Sequence, residues 1–241
     1  MLVCGAAPVP ESLLTLYSKR EINFCQGYGL TETSPFASLL TPEWATSKLG
    51  SAGQAAFYSD LKIVNENNEE LAPMEHGEIC ISGANVMKGY WNRPEATAKA
   101  IDDKGWFHSG DIGYLDEDGF LFICDRLKDM VISGGENVYP AEVEGVLYKH
   151  ELIAEVAVIG LPDEKWGEAV TAVVALVEGA ALDLEQLRSF SEPHLARYKL
   201  PIKMHTVSEL PRNPAGKVLK AVLKEELASK EPQLGLSNAC K

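Results

Sequence analysis

The alternation of apolar and polar positions divides the chain into a first half that is mainly β and a second half of mixed character. Alternating runs are typical of half-buried strands, and Asp118-Gly119 is a hairpin turn signal. Leu2-Val3-Cys4 has the pattern of the end of a buried strand, and with no preceding domain to cover it we expect its apolar face to be exposed. The predicted elements of the first half are strands at 2–4, 22–26, 60–65 and 77–82, helices at 10–19 and from Arg93, and a hairpin at 114–123.

The pattern changes after Asp125, where Ser133-Gly134-Gly135 predicts a turn and a compact α+β unit of about 100 residues follows. Its predicted elements are helices at 140–149, 183–195 and 217–228 and strands at 155–159, 170–177 and 204–207. We therefore expect three parts: residues 1–125, residues 126–228, and a flexible tail at 229–241 that is rich in polar residues.

Composition narrows the class of protein. No apolar run reaches the ~20 residues that span a membrane, and the N-terminus lacks the basic region of a signal peptide, so we expect a cytoplasmic protein. The five cysteines are scattered and include no C-x-x-C pair. That spacing argues against a zinc site and a disulfide framework and favours buried thiols.

The formal net charge of −13 argues against a nucleic-acid binder, which would need a basic surface. The segment 188–224 is the exception, because it carries eight Lys or Arg residues against Glu192 and Glu209. Such a segment suits an anionic small ligand. A solvated surface accounts for the same charges equally well.

Four motifs carry the chemistry: Gln26–Thr33 (QGYGLTET), Trp106–Asp111 (WFHSGD), Asp125–Glu144 (DRLKDMVISGGENVYPAEVE) and Pro211–Lys217 (PRNPAGK). In this order and spacing the chain resembles the adenylate-forming superfamily, which includes acyl-CoA synthetases, coumarate-CoA ligases, beetle luciferases and peptide-synthetase adenylation domains. The resemblance covers residues 2 to 228. Three further segments, 89–97, 133–140 and 161–168, make it most similar to fatty-acyl-CoA synthetases.

The resemblance implies a multidomain fold of α/β and α+β parts. The end of a large adenylation domain, made of an α/β piece and a small β-barrel-like subdomain, would precede a small α+β lid domain. It implies an AMP-forming acid–thiol ligase that joins a carboxylic acid, expected to be a fatty acid, to ATP and then to coenzyme A. The expected small-molecule partners are the acid, ATP, Mg²⁺ and coenzyme A.

By the same resemblance Tyr28 stacks on adenine, Thr31 bonds a phosphate oxygen, Glu32 holds Mg²⁺ and Asp111 accepts hydrogen bonds from both ribose hydroxyls. Lys128 matches the hinge, Ser133-Gly134-Gly135 borders the coenzyme A tunnel, and His108 is structural. The full set implied to contact ATP or AMP is Gly5, Ala6, Ala7, Gln26, Gly27, Tyr28, Gly29, Leu30, Thr31, Asp111, Ile123, Arg126 and Lys217.

Lys217 also has a chemical rationale. Attack of a carboxylate on a phosphate brings two anions together, and a lysine on a glycine-containing loop supplies a compact positive charge where the transition state needs it. Pro-x-Gly-Lys alone would indicate no more than a surface lysine in a turn. The other three motifs favour catalysis, with Thr31 and Glu32 as its partners.

The sequence departs from the family pattern at its front. It shows no Ser/Thr/Gly-rich loop with a phosphate-binding lysine, and most of the usual acyl pocket is missing. We expect a fragment of a longer ligase, inactive by itself; a short non-catalytic nucleotide- or coenzyme A-binding protein is the alternative. Beetle luciferases carry a lysine where this chain has Ile132, which favours acyl-CoA formation over light emission.

Overall fold

The structure is a computed structural model that describes residues 2–5, 9, 11–214 and 216–229. Its backbone divides into two compact units, Met1–Lys128 and Asp129–Lys241, which we call unit 1 and unit 2 and describe separately. Ala6 and Ala7, which are candidate nucleotide-binding residues, and the expected tail from Lys230 lie outside the described residues.

Unit 1 begins with a four-stranded sheet in the order β1-β2-β3-β4. Strands β1 and β2 are parallel, and the helix α1 connects them, whereas β3 and β4 are added in antiparallel fashion. Leu14 of α1 and Cys25 of β2 are buried together with Leu40. The elements are β1 (Leu2–Cys4), α1 (Glu11–Ser18), β2 (Phe24–Tyr28), β3 (Ser38–Leu39) and β4 (Gln54–Ala55).

The second sheet of unit 1 is antiparallel in the order β5-β6-β7-β8. The strand register brings apolar residues opposite one another: Ile63 lies opposite Ile79, and Ile81 lies opposite Phe107. The elements are β5 (Ser59–Val64), β6 (Gly77–Gly83), α2 (Pro94–Ala100), β7 (Phe107–Leu115) and β8 (Leu121–Arg126). The described strands do not close a barrel, because β8 bridges to Gly53 rather than to β5. This part of unit 1 is an open sheet, and the predicted barrel-like subdomain is not confirmed.

Unit 2 is built on a five-stranded sheet in the order β10-β9-β12-β11, with β13 parallel to β12. Successive side chains of the central strands β11 and β12 point to opposite faces of the sheet and pack into two cores. In β11, Val156 and Val158 face α3 and α4, whereas Ala157 and Ile159 face α5. The elements are β9 (Val131–Ser133), β10 (Glu136–Val138), α3 (Pro140–Leu147), β11 (Ile153–Asp163), β12 (Gly167–Leu176), α4 (Leu184–Ser191), β13 (Lys203–Val207) and α5 (Lys220–Ala228).

Leu2–Cys4 is a strand as predicted, and Leu2 and Val3 are 40% and 58% exposed, as expected of a strand that lacks a covering domain. One boundary in unit 1 needs correction. Strand β2 begins at Phe24 rather than at Ile22. The N–H groups of Glu21 and Ile22 donate to carbonyls of α1 and complete the turn that follows this helix.

All three helices of unit 2 are shorter than predicted, and α3 ends at Leu147 rather than at residue 149. Helix α4 ends at Ser191 rather than at residue 195, because Pro193 has no N–H to continue the helical hydrogen bonds. Helix α5 begins at Lys220 rather than at 217, because the preceding residues form a short hairpin in which Arg212 bridges to Val218. Within the described residues, none of the helices has the length and apolar character needed to cross a bilayer.

Candidate functional site

Three predicted nucleotide-site residues meet in unit 1. Tyr28 ends β2, and its hydroxyl donates a 2.7 Å hydrogen bond to Oδ2 of Asp111 on β7. Asp111 and Arg126 are opposite residues of the β7–β8 pair, and Nε of Arg126 lies 3.8 Å from Oδ1 of Asp111. Tyr28 is buried and Arg126 is exposed, so the cluster has an apolar base and a charged outer side.

The environment of Tyr28 keeps its hydroxyl protonated. Burial raises the pKa of Tyr28 far above its usual value, and the adjacent Asp111 carboxylate raises it further. The phenol is therefore a permanent donor at neutral pH. It orients one carboxylate oxygen of Asp111, and a carboxylate has enough lone pairs to accept further hydrogen bonds from a ligand.

The loop that follows β2 is held by a second segment of unit 1. Residues Thr31–Thr33 form one 3-10 turn, in which Thr31 is exposed and Glu32 is half-buried. The hydroxyl of Tyr90 donates to Oε1 of Glu32 at 3.0 Å, and the N–H of Met87 donates to the Glu32 carbonyl at 2.7 Å. Glu32 thus presents an oriented carboxylate, which is a ligand type that Mg²⁺ prefers.

The packing of the backbone around position 29 requires a glycine there. A Cβ at this position would lie 1.6 Å from the carbonyl oxygen of Pro35 and 2.9 Å from the N atom of Ala37. Any side chain would therefore displace the loop that follows. The resemblance implies that Gly29 contacts the nucleotide, but the packing against Pro35 is a sufficient reason for glycine without a ligand.

The other candidate residues of unit 1 line or support the same region. Gln26 donates from Nε2 to the Ser51 carbonyl at 3.1 Å. A Cβ on Gly5 would lie 3.1 Å from the carbonyl oxygen of Gly27, so β1 approaches β2 closely there. Leu30 and Ile123 are half-buried and pack against the apolar core of unit 1.

Glu78 is a residue that sequence reasoning missed. Its Oε2 lies 2.7 Å from Nδ1 of His108, and its Oε1 accepts from the N–H of Gly110 at 3.0 Å. His108 therefore has a partner, although none is evident from its neighbours in sequence. The available signal was the alternation of the predicted strand 77–82, which places Glu78 and Cys80 on one face.

Glu78, Cys80 and His108 together have the donor types of a metal site. The sulfur of Cys80 lies 3.5 Å from Nδ1 of His108, and burial raises the pKa of this thiol to about 12. Two ligands bound to one tetrahedral zinc ion would lie about 3.3 Å apart, whereas the Glu78–His108 distance of 2.7 Å is that of a direct hydrogen bond. The geometry favours a hydrogen-bonded pair over an ion site.

In unit 2, Ser133-Gly134-Gly135 connects β9 to β10 as a tight turn. Gly134 and Gly135 have φ angles of +63° and +86°, and the N–H of Gly134 donates to the Trp166 carbonyl at 2.8 Å. A Cβ on Gly134 would lie 3.0 Å from the Trp166 ring. The turn is therefore narrow and exposed at its tip, with Ser133 buried beneath it.

The exposed Lys217 ends a short hairpin loop whose backbone is fixed by Asn213. The N–H of Asn213 donates to the Lys217 carbonyl, and the N–H of Lys217 donates to Oδ1 of Asn213, both at 2.9 Å. Arg212 secures the loop from the side, since it donates to the Gly216 carbonyl and forms a 2.7 Å ion pair with Glu155. Lys128, the candidate hinge, is exposed and is the last residue of unit 1.

Comparison with known proteins assigns two segments of the chain to one enzyme family. Residues 1–91 match the AMP-binding enzyme family, and residues 142–217 match the C-terminal domain of AMP-binding enzymes. These two domains together define the adenylate-forming class. The chain belongs to the AMP-binding enzyme family.

Curated relatives of this chain act on different acids. It is 48% identical over 219 residues to a feruloyl-CoA synthase of Amycolatopsis sp. and 47% identical over 230 residues to a 2-succinylbenzoate–CoA ligase of Geobacillus sp. strain WCH70. It is 46% identical over 233 residues to the long-chain-fatty-acid–CoA ligase FadD13 of Mycobacterium tuberculosis. These matches cover 91%, 95% and 96% of this chain but 44%, 46% and 45% of the relatives, so the chain spans about half of their length.

Solved structures agree with the sequence relatives. The o-succinylbenzoate CoA synthetase of Bacillus subtilis in complex with its acyl-adenylate intermediate superposes with a TM-score of 0.85 at 41% identity, covering 92% of this chain and 45% of that chain. The same enzyme in complex with ATP and a magnesium ion gives a TM-score of 0.83 at 40% identity, with 92% and 46% covered.

Proposed function

We propose that this chain supplies the adenine- and ribose-binding side and the lid of an AMP-forming acid–thiol ligase. Such an enzyme converts a carboxylic acid and ATP into acyl-AMP and pyrophosphate, and then transfers the acyl group to the thiol of coenzyme A. The observation that supports the proposal is the cluster of Tyr28, Asp111 and Arg126, which residues from three strands form around one carboxylate. We infer that the acid is a fatty acid, because of the motif likeness and the FadD13 relative.

Each residue of the cluster has a role in this proposal. Asp111 accepts hydrogen bonds from both ribose hydroxyls, with its carboxylate held by the Tyr28 hydroxyl. Arg126, which is exposed beside Asp111, bonds the ribose and α-phosphate. Tyr28 presents its ring to the adenine. Gly5, Gln26, Gly27, Gly29, Leu30 and Ile123 line the base pocket in this proposal.

The phosphate side begins at the turn of Thr31 and Glu32. The exposed Thr31 hydroxyl bonds a phosphate oxygen, and the Glu32 carboxylate, oriented by Tyr90, is the ligand for Mg²⁺. A bound magnesium ion neutralises phosphate charge. Oxygen donors suit this hard cation, and the exposed side of the turn leaves access to it.

Lys217 supplies positive charge to the phosphate during adenylation, because a lysine on a short fixed loop is a compact charge that needs no reorganisation. The Asn213 and Arg212 contacts support this role, since they hold the loop backbone while the side chain stays exposed. Lys128 is the hinge about which unit 2 rotates for the second half-reaction. Ser133-Gly134-Gly135 then borders the path of the pantetheine arm, where side chains would block a thiol.

The first test measures AMP binding to the 241-residue chain by calorimetry. Asp111→Asn should weaken binding roughly tenfold or more, because a charged acceptor of two hydroxyl donors becomes a neutral group with one acceptor. The exposed Asp60 provides the control Asp60→Asn, which should bind AMP as the unmodified chain does. Equal binding by both variants would contradict the assignment of Asp111.

The second test restores a complete enzyme. The chain replaces the matching part of the Geobacillus 2-succinylbenzoate–CoA ligase, and pyrophosphate release is measured with succinylbenzoate and ATP. We expect activity from the chimera and none from the chain alone, and Lys217→Ala should lower the rate about 10²–10³-fold. Lys149→Ala, in the exposed turn after α3, is the matched control. Unchanged adenylation in Lys217→Ala would refute the catalytic role.

A non-catalytic nucleotide-binding protein is the second candidate. It is favoured by the lack of a Ser/Thr/Gly-rich phosphate loop with a lysine in the printed sequence. It predicts that the chain binds AMP or coenzyme A. It also predicts that the chimera folds and binds ATP but releases no pyrophosphate. Pyrophosphate release by the chimera decides between the two.

A further inference from the structure

The segment that carries Asp111 is a bulge in the β6–β7 pair: Asp111 is paired with Arg126 of β8, but the ladder to β6 is interrupted from Ser109 to Asp111. In the β6–β7 pair, Cys80 lies opposite His108 and Glu78 lies opposite Ile112, so three residues of β7 face Ile79 alone. A second register shift follows between Ile112 and Gly113 in the β7–β8 pair. A bulge of this kind interrupts the ladder and redirects side chains, so other groups must fix its backbone.

Glu78 fixes that backbone from β6. Its Oε1 accepts from the N–H of Gly110 at 3.0 Å, and its Oε2 accepts from Nδ1 of His108 at 2.7 Å, so one carboxylate holds both sides of Ser109. Gly110 is in the left-handed region at φ +70°. One carboxylate supplies the two acceptors that these two donors need.

Ser109 completes the attachment. Its hydroxyl donates to the Ile79 carbonyl at 2.7 Å and accepts from the N–H of Asp111 at 3.1 Å. Each residue from His108 to Asp111 is thus bonded to β6 directly or through Ser109. The side chain of Asp111 leaves this fixed backbone toward the Tyr28 hydroxyl.

We propose that Glu78 is a positioning residue for the ribose site: it holds the 108–111 bulge so that the Asp111 carboxylate faces Tyr28 and the two ribose hydroxyls. This inference rests on the proposed function, which assigns the ribose to Asp111. Glu78 acts through the 108–111 bulge: it bonds His108 and Gly110, and no contact with the nucleotide is proposed for it. Its effect must therefore depend on the ribose hydroxyls, which a general loss of stability would not.

The experiment compares two ligands on two variants of the full chain. AMP and 2′,3′-dideoxyadenosine monophosphate, which lacks both ribose hydroxyls, are titrated into the unmodified chain, Glu78→Gln and Glu75→Gln. Glu75 is the matched control, since its carboxylate also accepts from a backbone N–H, that of Ala72, outside the bulge. In parallel, the NMR signal of the hydroxyl-bearing ring carbon of Tyr28 reports its contact with Asp111 without any ligand.

We expect Glu78→Gln to weaken AMP binding about tenfold, to leave the dideoxy analogue unchanged and to shift the Tyr28 signal. Glu75→Gln should change none of the three. Equal losses for both ligands, or no loss for AMP, would overturn the positioning role. If the unmodified chain binds no AMP, the proposed function is contradicted. The positioning role is then tested by the Tyr28 signal alone: a shift in Glu78→Gln supports it, and no shift overturns it.

Discussion

The hydroxyl of Tyr28 and the carboxylate of Asp111 are joined by a 2.7 Å hydrogen bond across 83 positions of sequence. The bond connects the two sheets of unit 1, because Tyr28 ends β2 of the first sheet and Asp111 lies in β7 of the second. A contact that sets a candidate binding site therefore also contributes to the packing of the unit.

Tyr28→Phe removes this bond and keeps the ring. We expect it to destabilise unit 1 by about 1–2 kcal/mol, because Asp111 loses a donor in a half-buried place. Urea denaturation measures the change. Tyr58, whose side chain is 88% exposed, provides the control Tyr58→Phe, and equal midpoints for the two variants would contradict the expected contribution.

Gly134→Ala and Gly145→Ala should change the stability of unit 2 in opposite directions. Gly134 has φ +63° and little space beside Trp166, so a Cβ there should cost roughly 1–2 kcal/mol. Gly145 is exposed in α3 with open space around it, so alanine should stabilise by about 0.5–1 kcal/mol. Thermal melts of both variants test the pair, and a shift of the same sign in both would refute the backbone explanation.

Lys48 should make unit 1 sensitive to acid. Burial raises the pKa of Asp116, but hydrogen bonds from Lys48 and from the N–H groups of Phe120 and Asp118 outweigh it and hold that pKa below its usual value. A lowered carboxyl pKa in the folded state stabilises above the unfolded value of about 3.9 and is lost as pH falls through the folded value.

Lys48→Met should therefore melt earlier than the unmodified chain at neutral pH, and the difference should shrink below about pH 4. Melting temperatures between pH 7 and 2.5 measure it. Lys19→Met changes an exposed lysine after α1 and should show no such pattern. A difference that stays constant with pH would exclude the Asp116 contact as its cause.

Cys80 should be the cysteine that best distinguishes folded from unfolded unit 1. It is fully buried, and burial raises the pKa of its thiol to about 12, so the thiolate that alkylating reagents need is scarce. Among the four cysteines within the described residues, mass spectrometry after iodoacetamide treatment should find the half-exposed Cys124 and Cys4 labelled before Cys80. Labelling of Cys80 at a similar rate without denaturant would show that β6 opens readily.

Unit 2 should fold by itself. Both of its apolar cores are formed within residues 129–229. A chain of these residues should unfold in urea in one transition. Circular dichroism and the fluorescence of Trp166, the single tryptophan of this segment, should give the same midpoint. Separate midpoints would show that the second core depends on unit 1.

Sequence patterns predicted the longer strands and the helices but not the short strands β3, β4, β9 and β10. The motifs supplied the candidate nucleotide-site residues but not the contacts that hold them. The motifs identified Tyr28 and Asp111 separately, and only the strand register shows that they bond. Tyr90 and Glu78 were missed because their partners, Glu32 and the 108–111 bulge, are distant in sequence. Local periodicity carries no information on such pairs.

The two-sided burial of β11 and β12 has a mechanical consequence for Lys217. Strands packed on both faces exchange their amide hydrogens last, so β11 and β12 should be the most rigid part of unit 2. The lysine loop contacts β11 through the ion pair of Arg212 and Glu155. That ion pair is partly exposed and restrains the loop by roughly 0–1 kcal/mol, so the amide hydrogens of the Lys217 loop should exchange before those of β11 and β12.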